Sequence, residues 1–172
     1  LGANGCGKSN LISFFKMLNH IVQDNLPSYV GKQGGTDALL FYGSAITDKI
    51  DFALSFQKAK YSLEYYAHLQ FGMPDRLFFE KEGFAQGLIG EEPALVSTIT
   101  GTGNSSSALF AENSKLDAMF KSVMMSRSEV LSVLSGIHTY QFHDTSDTAK
   151  IKRNSFKDDA HYLREDAANL AA

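Results

Sequence analysis

The chain has no tryptophan, one cysteine and three prolines among 172 residues. A single cysteine cannot form an internal disulfide, so a cysteine-stapled secreted scaffold is excluded and a reducing compartment, the cytoplasm, is expected. With few prolines and 14 glycines the chain is neither collagen-like nor a proline-rich linker. No run reaches the ~18 apolar residues that a membrane-spanning helix requires. The amino end lacks the charged-then-apolar order of a signal peptide. A large excess of charge is also missing: the formal net charge of −3 gives no general attraction to nucleic acid or an anionic bilayer. What remains is 44% hydrophobic and 20% charged, ordinary globular composition with enough length for one domain and its core.

Against that background stands Gly2-Ala3-Asn4-Gly5-Cys6-Gly7-Lys8-Ser9, a complete G-x-x-x-x-G-K-[ST] pattern. Such a loop turns backbone N–H groups around phosphates, its lysine reaches the outer phosphates and its serine hydroxyl binds Mg²⁺. Asn10 to Gln23 follows, with Leu11, Phe14, Phe15, Leu18, Ile21 and Val22 at helical spacing and no Gly or Pro inside. A helix there aims its positive dipole end at the phosphates. The pattern therefore predicts a nucleotide site built from Gly2, Asn4, Gly5, Cys6, Gly7, Lys8, Ser9 and Asn10, with Mg²⁺ as its metal. A glycine-rich turn before an ordinary helix would not account for Lys8 and Ser9. Only Leu1 remains of the strand such a loop needs, and no initiator Met is present, so an internal fragment of a longer protein is expected.

Asp24 to Pro27 is expected to end the first helix, and Gly31-Lys32-Gln33-Gly34-Gly35 reads as a flexible turn before the apolar patch Leu39-Leu40-Phe41-Tyr42. From Ile46 to Thr100 the period changes from about 3.6 to 2. Ile50, Phe52, Leu54 and Phe56 alternate with Asp51, Ala53 and Ser55, and Tyr61, Leu63, Tyr65, Ala67 and Leu69 alternate with Ser62, Glu64, Tyr66 and His68. Shorter strands are expected at Leu77 to Lys81 and Ala94 to Ile99, with Phe71 to Asp75 and Glu82-Gly83 as turns. Connections this short join antiparallel neighbours, because parallel strands need longer crossovers. Gly101 to Ser107 reads as a polar loop. Lys115 to Leu134 restores helical spacing, broken near Ser126 to Ser128 and stopped by Gly136. Ile137 to Phe142 is expected to be a short buried strand, and residues 162–172 begin a helix.

Three further groups invite a chemical reading. Cys6 beside a helix N-terminus favours a thiolate, either as a passive replacement for a small polar residue or as an oxidisable thiol that blocks nucleotide binding. His143-Asp144-Thr145-Ser146 closes the strand ending at Phe142. Asp144 would contact Mg²⁺ and His143 would orient the attacking water or sense the γ-phosphate, or else Asp144 and Thr145 merely cap a turn; spacing favours neither. Lys150, Lys152 and Arg153 form a small basic cluster, more in keeping with a solvated face than with DNA contact. His20, among apolar neighbours, reads as structural, and the five histidines show no metal-binding spacing with the lone cysteine.

The loop and its trailing asparagine, Asn4-Gly5-Cys6-Gly7-Lys8-Ser9-Asn10, resemble those of ATP-binding-cassette ATPases of the chromosome-maintenance (SMC) and RecF type. Over its whole length the chain looks like the AAA-family ATPases related to RecF and to the overcoming-lysogenization-defect (OLD) proteins. The match rests on the loop and helix, on Gly34-Gly35 to Leu39-Leu40, and on Tyr140 to Ser146 with Tyr162 to Ala172. The resemblance implies an α/β P-loop NTPase fold: the N-terminal lobe of a cassette head (residues 1–23) with an inserted antiparallel β lobe (46–100), a helical segment (115–136), a second core strand with its sensor loop (137–146) and a truncated helix (162–172). It implies ATP as the nucleotide, an ATPase whose two heads dimerise on ATP, and DNA or a nuclease or toxin-system protein as partners. His143-Asp144 stands where such ATPases place a sensor glutamine; Gln141 lies two residues earlier. No Walker B Asp-Glu pair and no signature motif is found, and Leu134-Ser135-Gly136 reads as a helix end, so the fragment by itself is expected not to hydrolyse ATP. A P-loop kinase or GTPase, and a non-catalytic nucleotide-dependent DNA- or protein-binding module, remain as alternatives.

Overall fold

The computed structural model describes residues 7–58, 60–91, 94–100, 103–110 and 127–139, together with Leu163 and Asn169. The chain divides into two compact units, one of residues 17–135 and one combining 1–16 with 136–172.

Helix α1 (Lys8–Val22) begins at the motif lysine, and in its second half Met17, Leu18, Ile21 and Val22 are buried. These recur at the one-turn spacing that keeps side chains on a single face. Asp24, at positive φ, turns the chain into α2 (Leu26–Gln33). Two expectations are corrected here. Pro27 does not simply end the first helix; it occupies the first turn of the second, where a missing N–H costs nothing. Gly31, Lys32 and Gln33 lie inside α2, and only Gly34 and Gly35 form the exit. Gly34 is left-handed at φ 92°, and its N–H and that of Gly35 bond to Gly31 O and Val30 O, closing the helix's last carbonyls.

A four-stranded antiparallel sheet follows in the order β1-β2-β3-β4: β1 (Lys49–Lys58), β2 (Tyr61–Gly72), β3 (Arg76–Leu88) and β4 (Ala94–Thr100). Each strand pairs with the one before it, as the short connections require. On β2 the alternation is clean: Leu63, Tyr65, Ala67 and Leu69 are buried, while Ser62, Glu64, Tyr66 and His68 are half-exposed. Ile50, Phe52, Leu54 and Phe56 stand opposite the buried set in the β1 register.

Strand β3 overturns the shorter strand expected at Leu77 to Lys81, and Glu82-Gly83 is not a turn. His68 pairs with Lys81 and Leu69 with Phe79, so Glu80 is an extra residue in a β-bulge. Before the bulge the buried positions are Leu77 and Phe79; after it residues 82–86 are all buried, and Glu82, Phe84 and Gln86 stand opposite the inward β2 residues Ala67, Tyr65 and Leu63. The added residue shifts the inward parity from odd to even, which makes one strand look like two in a period-2 reading. Gly83 sits within the strand opposite Tyr66.

Helix α2 packs on β3, and Leu26, Tyr29, Val30 and Leu40 join the buried side chains of this unit. A 3₁₀ turn at Ala108–Phe110 buries Leu109, and α3 (Arg127–Ser135) buries Val130 and Leu134. The His20 ring lies 5.0 Å from that of Tyr29. Of the expected second core strand, Ile137, His138 and Thr139 are irregular. Residues 140–146, the helix start at 162–172, the helical stretch before Arg127 and the Lys150, Lys152, Arg153 cluster lie outside the described residues, the two single positions noted above apart. No helix among the described residues is long and apolar enough to cross a membrane.

Candidate functional site: the start of helix α1 and the buried carboxylate of the sheet

Of the expected nucleotide-binding residues, Gly7, Lys8, Ser9 and Asn10 are described; Gly2, Asn4, Gly5 and Cys6 are outside the described residues, as are His143 and Asp144. Gly7 has φ +83°, a left-handed conformation that most side chains resist, and an added Cβ would meet nothing within 4 Å. Backbone geometry, not crowding, thus calls for glycine at this position. Its carbonyl accepts the Leu11 N–H at 3.0 Å, the first rung of the α1 ladder, so the N–H groups of Ser9 and Asn10 lie ahead of the helix's own hydrogen bonds. Gly7, Lys8, Ser9 and Asn10 are all exposed, and the first turn carries no acidic residue. An anion approaching this end would meet backbone donors, the positive end of the helix dipole and a lysine, with no carboxylate in that first turn to repel it. Ser9 is the one expected metal ligand among the described residues. No group of three His, Cys, Asp or Glu side chains able to hold a metal is found among them.

A second polar centre lies inside the sheet unit. Glu82 is 1% exposed. Its Oε1 accepts from Tyr65 OH at 2.8 Å and Ser107 Oγ at 2.5 Å, and its Oε2 accepts the Ala108 N–H at 2.6 Å. Ser107 Oγ in turn accepts the Leu109 N–H at 3.1 Å. Burial pushes the Glu82 carboxyl above its ordinary range, and the bonds from Ser107, Ala108 and Tyr65 pull the other way. Burial, and then the neighbouring Glu82, raise the Tyr65 phenol well above its usual value. Tyr65 is also fixed by stacking on Phe84, with centroids 5.1 Å apart, and by an edge contact with Phe52. Further ties run from Ser105 Oγ to Leu77 O at 2.8 Å and from Phe79 N–H to Asn104 O at 2.9 Å. Glu82 and its donors thus clamp the segment 104–109 against β3.

This centre was missed because Glu82-Gly83 has the composition of a turn. The bulge that places Glu82 on the inward face leaves no local sign in sequence. On the outward face, His68 Nδ1 and Asp51 Oδ1 are 2.7 Å apart, and Asp51 is also 3.6 Å from Lys49 Nζ; with both rims exposed, this is a surface charge group.

Comparison with models of protein families, with curated proteins and with solved structures found no match.

Proposed function

We propose that this chain binds ATP with Mg²⁺ through residues 2–10 and forms the N-terminal lobe of a P-loop ATPase head of the RecF and chromosome-maintenance kind. The observation that carries the reading is the motif Gly2 to Ser9 running directly into helix α1, which starts at Lys8. The left-handed Gly7 and the acid-free first turn of the helix support it. In this reading the backbone of Gly2, Asn4, Gly5, Cys6 and Gly7 wraps the phosphates. Lys8 neutralises the β- and γ-phosphates, Ser9 ligates Mg²⁺ and Asn10 opens the helix beside the nucleotide. His143 and Asp144 belong to the same proposal, as the water-orienting and metal-facing groups.

Hydrolysis also requires the Walker B Asp-Glu pair and a signature motif from a second head, neither of which is found in this sequence, so turnover is assigned to the assembled protein, with two heads joined by ATP. The lone cysteine fits a reducing compartment, and a cytoplasmic setting is part of the same proposal. Titration calorimetry with Mg-ATP tests the site. Saturable binding is expected for the chain and none for Lys8→Ala; equal affinity in the variant would refute the assignment.

A further inference from the structure

The loop between α2 and β1 displays apolar side chains that the fold does not use. Phe41, Tyr42 and Ile46 are 71%, 79% and 73% exposed, and Met73, on the adjoining β2–β3 turn, is 77% exposed. The two aromatic rings meet edge to face with centroids 4.4 Å apart. Tyr42 holds φ at 57°, a region that side chains other than glycine avoid. A strained backbone that presents an aromatic ring to water is not explained by stability.

The display is also held in place. Asp75, on the same turn as Met73, accepts both the Thr36 N–H at 2.8 Å and the Thr36 hydroxyl at 2.5 Å. Asp37 accepts the Ser44 N–H at 2.8 Å and so closes the loop that carries Phe41 and Tyr42. Ile46 and Thr47 donate to Gly43 O. The β2–β3 turn and this loop therefore form one surface at one end of the sheet.

Its charge is one-sided. From Gly34 to Asp48 there is no lysine or arginine, while Asp37 and Asp48 are exposed and the turn adds Asp75. Of the flanking cations, Lys49 faces Asp51 and the Arg76 guanidinium lies over the Phe78 ring, while Lys32 is exposed in the last turn of α2. Nucleic acid is disfavoured, because its phosphates would face three carboxylates. A symmetric contact with a second copy is disfavoured too, since a two-fold axis brings the same patch, and the same acids, against itself.

We propose that this surface docks a segment of a partner protein that carries apolar side chains interspersed with lysine or arginine. Phe41 and Tyr42 are its anchors; Asp37, Asp48 and Asp75 form the rim that selects a basic partner. The proposal is independent of the nucleotide reading.

Fluorescence anisotropy with the whole chain and labelled twelve-residue peptides tests it. A peptide alternating leucine and lysine is expected to bind saturably, and its leucine-glutamate and serine-lysine counterparts at least about tenfold more weakly, the loss typical of a removed anchor. Tyr42→Gly relieves the backbone strain, so it should fold as well as the parent and still bind the leucine-lysine peptide about tenfold more weakly. Phe41→Ser, which leaves net charge unchanged, should do the same. Undiminished binding by both variants, or no discrimination among the peptides, overturns the proposal. So does sedimentation showing wild-type self-association that Phe41→Ser abolishes, or capture of duplex DNA that depends on Phe41.

Discussion

A carboxylate with three donors and almost no water is the most consequential single group among the described residues. Because burial raises its pKa, the folded protein keeps the Glu82 proton at pH values where the unfolded chain has released it. This titration therefore stabilises the fold most in acid, and its contribution is lost as pH rises through the folded-state value. Glu82→Gln cannot ionise, yet its carbonyl still accepts the Ala108 N–H and its amide faces two hydroxyls able to accept. The melting temperature of the glutamine variant minus that of the parent should grow between acid and neutral pH; a difference flat with pH would contradict this account. Glu82→Ala leaves three donors without their acceptor and should cost roughly 2–4 kcal/mol in denaturant unfolding. Gly35 gives a second residue-scale expectation. It sits at φ 98°, ψ 179°, a region open to glycine alone, and an added Cβ would lie 2.6 Å from Asp75 Oδ2. Gly35→Ala should lose about 1–3 kcal/mol from the backbone alone, whereas Gly31→Ala, in open space inside α2, should be neutral or stabilising.

At the scale of elements, β2 is paired on both sides from Tyr61 to Gln70, by β1 and by β3. Its amides should exchange with deuterium more slowly than those of β1, whose outer edge pairs with no strand among the described residues; equal rates would mean that the sheet opens as one piece. These strands also mark how far sequence carried the fold. β1 and β2 were legible because one face is drier than the other without interruption: Ile50, Phe52, Leu54 and Phe56 are half-exposed between exposed neighbours, and Leu63, Tyr65, Ala67 and Leu69 are buried between half-exposed ones. β3 was legible only up to Lys81, because the bulge at Glu80 reverses parity and a glycine follows. α2 was hidden behind Pro27 and Gly31, residues whose ordinary meaning is a break, although position N2 tolerates the one and an exposed helical turn the other. Of the candidate site, Lys8 and Ser9 were legible as a motif and fall at the start of a helix as that motif requires. The Glu82 centre was not, since its partners lie 17 to 26 positions away and only a folded sheet brings them together.

For the whole molecule, the nucleotide proposal predicts linkage between ligand and stability. With Mg-ATP at about a hundred times its dissociation constant, unfolding should become roughly 2.7 kcal/mol harder, and Lys8→Ala should melt like the parent without nucleotide and gain nothing from its addition. Lys8 is exposed, so its loss should leave the apo stability within about 0.5 kcal/mol. A melting curve insensitive to Mg-ATP in the parent would argue against the site, independently of any assay of turnover.

The meander also sets an order of events in time. Each strand finds its neighbour across a short connection, so the ladder from β1 to β3 can assemble from contacts near in sequence, which form quickly. Ser107 and Ala108, the donors that enclose Glu82, come from further along the chain than any of those strands. The carboxylate therefore stays hydrated on an open sheet until the segment carrying them closes over it. That closing step must strip water from a charge or wait for a proton, and stopped-flow refolding should find it faster in mild acid than at neutral pH. In Glu82→Gln the same step should lose its dependence on pH, turning the clamp from a proton-gated event into an ordinary loop closure.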